Sequence, residues 1–203
     1  YEGDGANGRT LNHNLGVVPE MMWIKRLEAS GNAFQVYMAP QGNTKFAPSF
    51  RTDPFYTTSK WANTTPTSTQ FTLSSDSDVN RNSSDYINFL FATLPGISKI
   101  GTYSGTGSAI NVDCGFTAGA RFIMIKRTDI ETQGNPPDRT EWYVWDYARG
   151  IVSGNDPYYA LSRNYAQVTN TDYIDPLNAG FTVNTSGGGI NVSGGTYVFF
   201  AIA

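Results

Sequence analysis

Few residues in this sequence are able to act as nucleophiles, general bases or metal ligands. Among 203 residues there is one histidine, His13, and one cysteine, Cys114. His-rich zinc sites and Ser-His-Asp or Cys-His catalytic sites need more histidine and cysteine residues, or more neighbours for them, than this chain contains. His13 lies between two asparagines ahead of an apolar run, and Cys114 precedes Gly115 and Phe116. We therefore expect a loop histidine and a small buried thiol, with no catalytic nucleophile, no metal and no cofactor.

Paired carboxylates are the enzymatic option that remains, because a glycosidase needs only two acidic side chains across a sugar-binding cleft. The candidates are Glu131, Asp138, Glu141, Asp146, Asp156, Asp172 and Asp175. They lie among turn-forming residues, where carboxylates usually serve as solvated caps. We expect a protein that is not an enzyme, and glycan hydrolysis is kept as an alternative.

The aromatic residues suggest binding more than catalysis. The chain has 12 Tyr, 12 Phe and 4 Trp, most of which a β-rich core would consume. Six lie instead in the irregular, proline-containing segments 43–69 and 151–179: Tyr56, Trp61, Tyr158, Tyr159, Tyr165 and Tyr173. Such side chains stack on sugar rings or anchor a neighbouring subunit, because they combine an apolar face with a polar group. We assign these six as candidate ligand-binding residues. The alternative is that they close the ends of the fold.

Strand patterns dominate the segments that must position these residues. Residues 21–24 and 122–125 are continuous apolar runs followed by Lys-Arg, which predicts strands buried on both faces with charged ends that emerge from the sheet. Residues 86–92 and 197–203 have the character of central strands, and no amphipathic helix of ten or more residues is evident. The predicted buried core contains Trp23, Ile24, Phe89, Phe91, Met124, Ile125, Val198 and Phe200.

The two halves of the chain carry the same motifs in the same order. The matched pairs are Tyr1 with Tyr103, Gly3 with Gly105, Gly5 with Gly107, 21–26 with 122–127, 34–42 with 142–150, 70–73 with 180–183, 79–80 with 190–191, and 86–92 with 197–203. A repeat of this length indicates a duplicated folded unit. We predict an all-β fold: a jelly-roll or lectin-like β-sandwich built from tandem, pseudo-equivalent repeats 1–99 and 100–203, packed together as one unit.

Charge and hydropathy exclude two classes of partner. The formal net charge is -3 and the pI is about 5.1, whereas nucleic-acid readers usually carry a basic patch. The apolar runs are too short to span a bilayer. We therefore expect neither nucleic-acid binding nor membrane insertion. Since the chain starts at Tyr1 inside a motif that the second half repeats, we expect it to be a piece of a longer polypeptide.

The order of these motifs resembles a duplicated β-domain of tailed-bacteriophage virion proteins. The resemblance is carried by residues 15–26, by the aromatic strand that follows them, by Asn80 with Tyr86 and Ile87, and by residues 101–107, which open the second copy. The resemblance covers essentially the whole chain, and that family has no defined catalytic or binding residues. The second copy departs from the pattern at residues 117–120, where it lacks the Gly-Val-Val-Pro of the first.

This resemblance implies a non-enzymatic virion module at the tip of a fibre, appendage or capsid decoration, exposed on the virion surface and used for host-surface attachment. The implied partners are other virion proteins, copies of itself in a homo-oligomer with a trimer favoured, and a host surface glycan or protein. A purely structural capsid or tail decoration without a ligand is the alternative.

Overall fold

The computed structural model describes residues 1–28, 33–49, 51–130, 140–184 and 189–203. The chain is 39% strand and 4% helix and forms several antiparallel sheets, consistent with a β-sandwich, so the predicted all-β class is confirmed. It divides into two compact units. Unit 1 contains Tyr1–Ser49 and Phe55–Ala92, and unit 2 contains the described residues of Phe50–Pro54 and Thr93–Ala203.

Unit 1 is a five-stranded antiparallel sheet with a two-stranded sheet on one face. Its strands are β1 (Arg9–Asn12), β2 (Met21–Arg26), β3 (Gln35–Met38), β4 (Lys45–Pro48), β5 (Tyr56–Thr57), β6 (Gln70–Leu73) and β7 (Tyr86–Phe91). The larger sheet has the order β5-β4-β3-β2-β7, and β1 pairs with β6. A 3-10 turn, Ala39–Gln41, and the short helix α1, Ser77–Asn80, complete the described elements.

Unit 2 also has a five-stranded antiparallel sheet, and its smaller sheet has three strands where that of unit 1 has two. Its strands are β8 (Ser98–Ser104), β9 (Ile110–Asp113), β10 (Phe122–Arg127), β11 (Tyr143–Asp146), β12 (Tyr159–Ala160), β13 (Ile174–Leu177), β14 (Gly180–Val183) and β15 (Thr196–Ile202). The sheet orders are β12-β11-β10-β15-β8 and β13-β14-β9. The run β3-β2-β7 therefore has the same order as β11-β10-β15. The tandem duplication itself stays a prediction.

Each unit has its own hydrophobic core between its two sheets. In unit 1 the buried cluster is Met22, Ile24, Tyr37, Trp61, Phe71, Leu73, Val79 and Tyr86. In unit 2 the cluster includes Ile123, Ile125, Tyr143, Trp145, Phe181, Val183, Tyr197 and Phe199. Successive residues of a strand face opposite sides, so the even positions of β2 and the odd positions of β10 supply these cores.

The predicted core is confirmed in part. Five of its residues are buried: Ile24, Met124, Ile125, Val198 and Phe200. The prediction is wrong for Phe89, which is 42% exposed, and Trp23 and Phe91 are only partly buried. Phe89 lies on the face of β7 opposite the unit 1 core. Because β7 is the last described strand of its sheet, that face is less covered than the matching face of β15, which has neighbours on both sides.

The prediction that both Lys-Arg ends emerge from their sheets is wrong for Lys126. This side chain is fully buried, and its Nζ donates to the Thr140 carbonyl at 2.7 Å. The ammonium lies 5.2 Å from the centre of the Trp142 ring. Burial lowers the pKa of Lys126 to about 7, against the opposing influence of Glu141 and Asp53. Lys25, at the matching position of β2, remains partly exposed.

A pair of stacked tyrosines closes one end of each core. Tyr1 lies on Tyr86 with ring centroids 4.9 Å apart, and Tyr103 lies on Tyr197 at 4.8 Å. The Tyr1 hydroxyl donates to the Val79 carbonyl at 2.6 Å. The Tyr103 hydroxyl makes the corresponding bond to the Ile190 carbonyl at 2.7 Å. The tyrosines that the two halves share therefore make structural contacts within each unit.

Two glycines let the main chain pass closely beside these tyrosines. A Cβ on Gly3 would lie 2.1 Å from the Arg81 carbonyl oxygen, and one on Gly105 would lie 2.2 Å from that of Val192. No side chain fits at such distances. The spacing Tyr-x-Gly is thus explained by a close approach of main chain to main chain.

Candidate functional site

Four tyrosines converge in unit 2, and we call them the tyrosine cluster: Tyr143, Tyr158, Tyr165 and Tyr173. Tyr143 and Tyr158 meet edge to face with ring centroids 5.4 Å apart, and Tyr158 stacks on Tyr173 at 5.5 Å and 21°. Burial raises the pKa of Tyr143, and Tyr158, Glu141, Tyr173 and Tyr165 raise it further in that order. The cluster runs from a buried base at Tyr143 to Tyr165, which is 45% exposed.

Local structure explains how the cluster is positioned. Tyr143 begins β11, and Tyr158 immediately precedes β12, which pairs with β11 through Tyr143 and Ala160. Tyr158 is held by reciprocal main-chain hydrogen bonds with Val168, at 3.0 Å and 3.1 Å. Tyr173 immediately precedes β13. The cluster thus rests on regular sheet at its base and on the long connection between β12 and β13 at its exposed side.

Charged groups lie next to the base of the cluster. Glu141 is 2% exposed and accepts hydrogen bonds from the Ser162 hydroxyl and from Arg163 Nε, the latter at 2.5 Å. Ser162 Oγ also accepts from the main-chain N–H of Trp142 at 3.1 Å. Glu141 is itself buried, so the groups that a ligand could reach here are the exposed Tyr165 ring and the partly exposed Arg163 guanidinium. An aromatic face beside a hydrogen-bond donor suits a ligand with apolar faces and many hydroxyls, such as a sugar.

The six predicted binding residues are divided between the two units. Tyr158, Tyr165 and Tyr173 come together in the tyrosine cluster. Tyr159 belongs to the same unit, but its ring lies under the Arg149 guanidinium at 4.4 Å. Tyr56 belongs to unit 1 and packs at 5.9 Å from Phe46.

Two of these six aromatics are buried. Trp61 has no exposed surface, and Tyr158 is only 7% exposed. Trp61 Nε1 donates to the Lys45 carbonyl at 2.8 Å, and its ring meets Tyr37 edge to face at 5.7 Å. The irregular segments fold back over the cores, so an aromatic residue outside a strand still completes the packing.

Sequence reasoning missed two residues of interest in unit 2. Tyr143 is absent from the candidate binding residues, although its position between Trp142 and Trp145 indicates an aromatic-rich region. Tyr147 is 65% exposed and lies 4.8 Å below the Arg121 guanidinium. Its place at the first position after β11 is the signal that could have identified it.

The candidate carboxylates are occupied by structural contacts. Glu131 and Asp138 lie outside the described residues. Asp146 forms an ion pair with Arg149. Asn184 Nδ2 donates to both Asp172 and Asp175, the latter at 3.0 Å. These contacts fix the connections on either side of β13.

Asp156 stands apart because it is completely buried. Its Oδ1 accepts from the Val152 N–H at 2.8 Å. Burial raises the pKa of this carboxyl to about 7, with Asp175 and Asp172 adding to the rise and main-chain N–H groups opposing it. A raised pKa is typical of a general acid, but a carboxyl with no exposed surface does not contact a substrate. We interpret Asp156 as a structural group.

The raised pKa of Asp156 gives a stability that depends on pH. In the folded state the Asp156 carboxyl stays protonated up to about pH 7, whereas in the unfolded chain its pKa is 3.8. Because the folded state binds more protons in this window, the free energy of unfolding should fall as the pH rises through it. Asp156→Asn should remove this loss, so its stability relative to the parent should rise from pH 4 to pH 8, by up to about 4 kcal/mol.

Thermal unfolding at a series of pH values measures this effect. Asp113→Asn, which alters an exposed carboxylate of the same unit, is the matched control and should keep a constant difference from the parent. Parallel pH profiles for Asp156→Asn and Asp113→Asn would contradict the assignment.

His13 and Cys114 lie where the sequence predicted. His13 Nε2 is 3.1 Å from the Thr67 carbonyl on the surface of unit 1, as a loop histidine. Cys114 is a buried free thiol, and burial raises its pKa to about 12, which disfavours the reactive thiolate. Among the described residues no group of three or more His, Cys, Asp or Glu side chains is arranged to hold a metal ion. No helix in the described ranges is long and apolar enough to cross a membrane.

Comparison with known proteins returns one relationship. No curated protein and no solved structure matches the chain. A family model, described as "Domain of unknown function (DUF7483)", matches residues 1–203. The chain therefore belongs to the DUF7483 family over its whole length.

Proposed function

We propose that this chain is a non-enzymatic attachment module of a bacteriophage virion and that the tyrosine cluster binds a host surface glycan. The resemblance of the paired sequence motifs to virion β-domains supports the setting on a fibre, appendage or capsid decoration. The observation that carries the binding role is the packing of the Tyr143, Tyr158 and Tyr173 rings beside β12, with Tyr165 45% exposed in the connection between β12 and β13.

The chemistry of the cluster supports a sugar as its ligand. Tyr165 is exposed and Tyr173 is partly exposed, and the buried Tyr158 stacks on the Tyr173 ring and contacts Tyr143. Such a site contributes little affinity on its own. In a homo-oligomer, for which we propose a trimer, several copies would act together and raise the apparent affinity.

A purely structural role is the second candidate function, and one loop of unit 1 favours it. Leu15, Val17 and Val18 are 37%, 44% and 43% exposed. Gly16 between them has a φ of 76°, which turns the loop tip. Adjacent exposed apolar side chains are typical of protein–protein contacts, so this loop would dock on another virion protein or another copy.

Replacement of Tyr165 by alanine tests the attachment role. The chain, displayed in many copies on beads, is applied to an array of bacterial surface polysaccharides. Tyr165→Ala should weaken binding about tenfold, because a lost ring contact of about 1.4 kcal/mol has that effect on affinity. Melting temperature should change little, because the side chain is largely outside the core.

Tyr147→Ala is the matched control, because Tyr147 is an exposed tyrosine of the same unit that lies outside the cluster. Its binding should stay within about twofold of the parent. Equal losses in both variants would contradict a specific site. If the parent binds no polysaccharide yet forms a stable oligomer, the structural role is the correct one.

A further inference from the structure

Matching positions of two strands carry an asparagine in unit 1 and a phenylalanine in unit 2. Asn88 of β7 pairs with Ile24 of β2, and Phe199 of β15 pairs with Ile125 of β10. Each lies two residues after the stacked tyrosine of its strand, so both side chains point to the core side of their sheet. The two units therefore differ in what lies between their sheets at this point.

In unit 2 the ring at this position completes the core. Phe199 is 2% exposed and meets Phe181 edge to face, with ring centroids 5.5 Å apart. The ring also lies against Gly101 of β8, where an added Cβ would be 2.7 Å from it. Phe181 thus has an aromatic partner on the side of the sandwich where β8 lies.

In unit 1 the same position borders a surface cleft of about 310 Å³. Phe71, at the place on β6 that matches Phe181 on β14, forms one wall. Leu11 and Leu90 are the apolar side chains beside it. Because the Asn88 side chain is smaller than a phenylalanine, the cleft has room for a ring next to Phe71. A volume of this size is typical of a site for a small molecule.

A buried acceptor in this cleft has no donor in the part of the chain that the structure describes. It is Asn88 Oδ1. The His13 ring also lines the cleft, but its nitrogens are paired elsewhere: Nε2 donates to the Thr67 carbonyl at 3.1 Å, and Nδ1 accepts from the Leu15 N–H at 3.2 Å. Buried polar groups are nearly always hydrogen-bonded, so Asn88 Oδ1 indicates a bound molecule that supplies a donor.

We propose that this cleft binds a small aromatic molecule with a single hydrogen-bond donor, such as a phenol. Its ring packs on Phe71 in the way that Phe199 packs in unit 2, and its hydroxyl donates to Asn88 Oδ1. A sugar suits the cleft less well, because most of its hydroxyls would face the apolar walls without a partner. The inference does not rest on the proposed function, since the tyrosine cluster belongs to unit 2.

Titration with p-cresol tests the proposal, and toluene is the comparison because it is the same molecule without the hydroxyl. The methyl NMR signals of Leu11 and Leu90 should shift with p-cresol, with a Kd on the order of 1 mM for so small a molecule. Toluene should bind at least about tenfold more weakly, because it brings no donor for Asn88. The methyl signals of Val112, which matches Leu11 in unit 2, should stay unchanged because Phe199 fills that place.

Two substitutions of Asn88 separate the space for the ring from the acceptor. Asn88→Phe introduces the residue found at the matching position of unit 2 and should abolish p-cresol binding. Asn88→Leu keeps the size but removes the acceptor, so p-cresol binding should fall about tenfold, to the level of toluene. If Asn88→Phe does not fold, Asn88→Leu still decides.

Three results would overturn the proposal. The first is the absence of shifts at Leu11 and Leu90 with p-cresol at about 10 mM, well above the expected Kd. The second is equal binding of p-cresol and toluene by the parent. The third is p-cresol binding that either substitution of Asn88 leaves unchanged.

Discussion

Replacing Trp61 with alanine should lower the free energy of unfolding by about 3 to 5 kcal/mol, as removal of a large aromatic side chain from a packed core does. Trp61 has no exposed surface, packs on Tyr37 and donates to the Lys45 carbonyl at 2.8 Å. Its loss removes apolar burial, leaves a cavity and takes away the hydrogen bond of a main-chain carbonyl. Chemical denaturation of the parent and the variant measures the difference.

Two controls separate packing from other effects of this substitution. Trp61→Phe keeps most of the buried ring and should cost roughly half as much, since it loses the indole N–H and part of the volume. Tyr165→Ala, an aromatic in the corresponding irregular segment of unit 2, should stay within about 0.5 kcal/mol. An unchanged melting temperature for Trp61→Ala would show that this segment does not pack over the core.

Gly105→Ala should destabilise the protein by about 3 kcal/mol, at the upper end for overpacking by one methyl group. The added Cβ would lie 2.2 Å from the Val192 carbonyl oxygen, so main chain must move. That movement disturbs the bond from the Gly105 N–H to the Gly195 carbonyl, at 2.8 Å, and the bond from the Gly194 N–H to the Gly105 carbonyl, at 2.9 Å. The stacked tyrosines beside it would separate.

Gly194→Ala is the matched control for this effect. Gly194 has a φ of 77° and open space around its Cα, so alanine there meets conformational strain but no clash. A cost of about 1 kcal/mol is expected. Thermal unfolding measures the two losses of stability. If Gly105→Ala and Gly194→Ala destabilise the protein equally, the close approach of main chain at Gly105 adds no cost beyond that of the glycine backbone conformation.

The sequence by itself determined the fold class and the position of the principal strands. Alternation and continuous apolar runs are local patterns, so β2, β10, β7 and β15 could be located to within a residue or two. Tyr1 and Tyr103 make matching contacts in the two units, because stacking and close main-chain approach depend on residues whose types the sequence shows directly.

Only the tertiary structure decided which of these residues are covered. Trp61 and Tyr158 lie in irregular segments with the composition of surface loops, yet both are buried, because burial depends on where a segment folds back and not on its own pattern. Phe89 has the pattern of a central strand but lies at a sheet edge, and Lys126 is buried although Lys25 is partly exposed. A period-2 pattern specifies two faces of a strand. What packs on each face, and whether a neighbour occupies each edge, is set by parts of the chain far away in sequence.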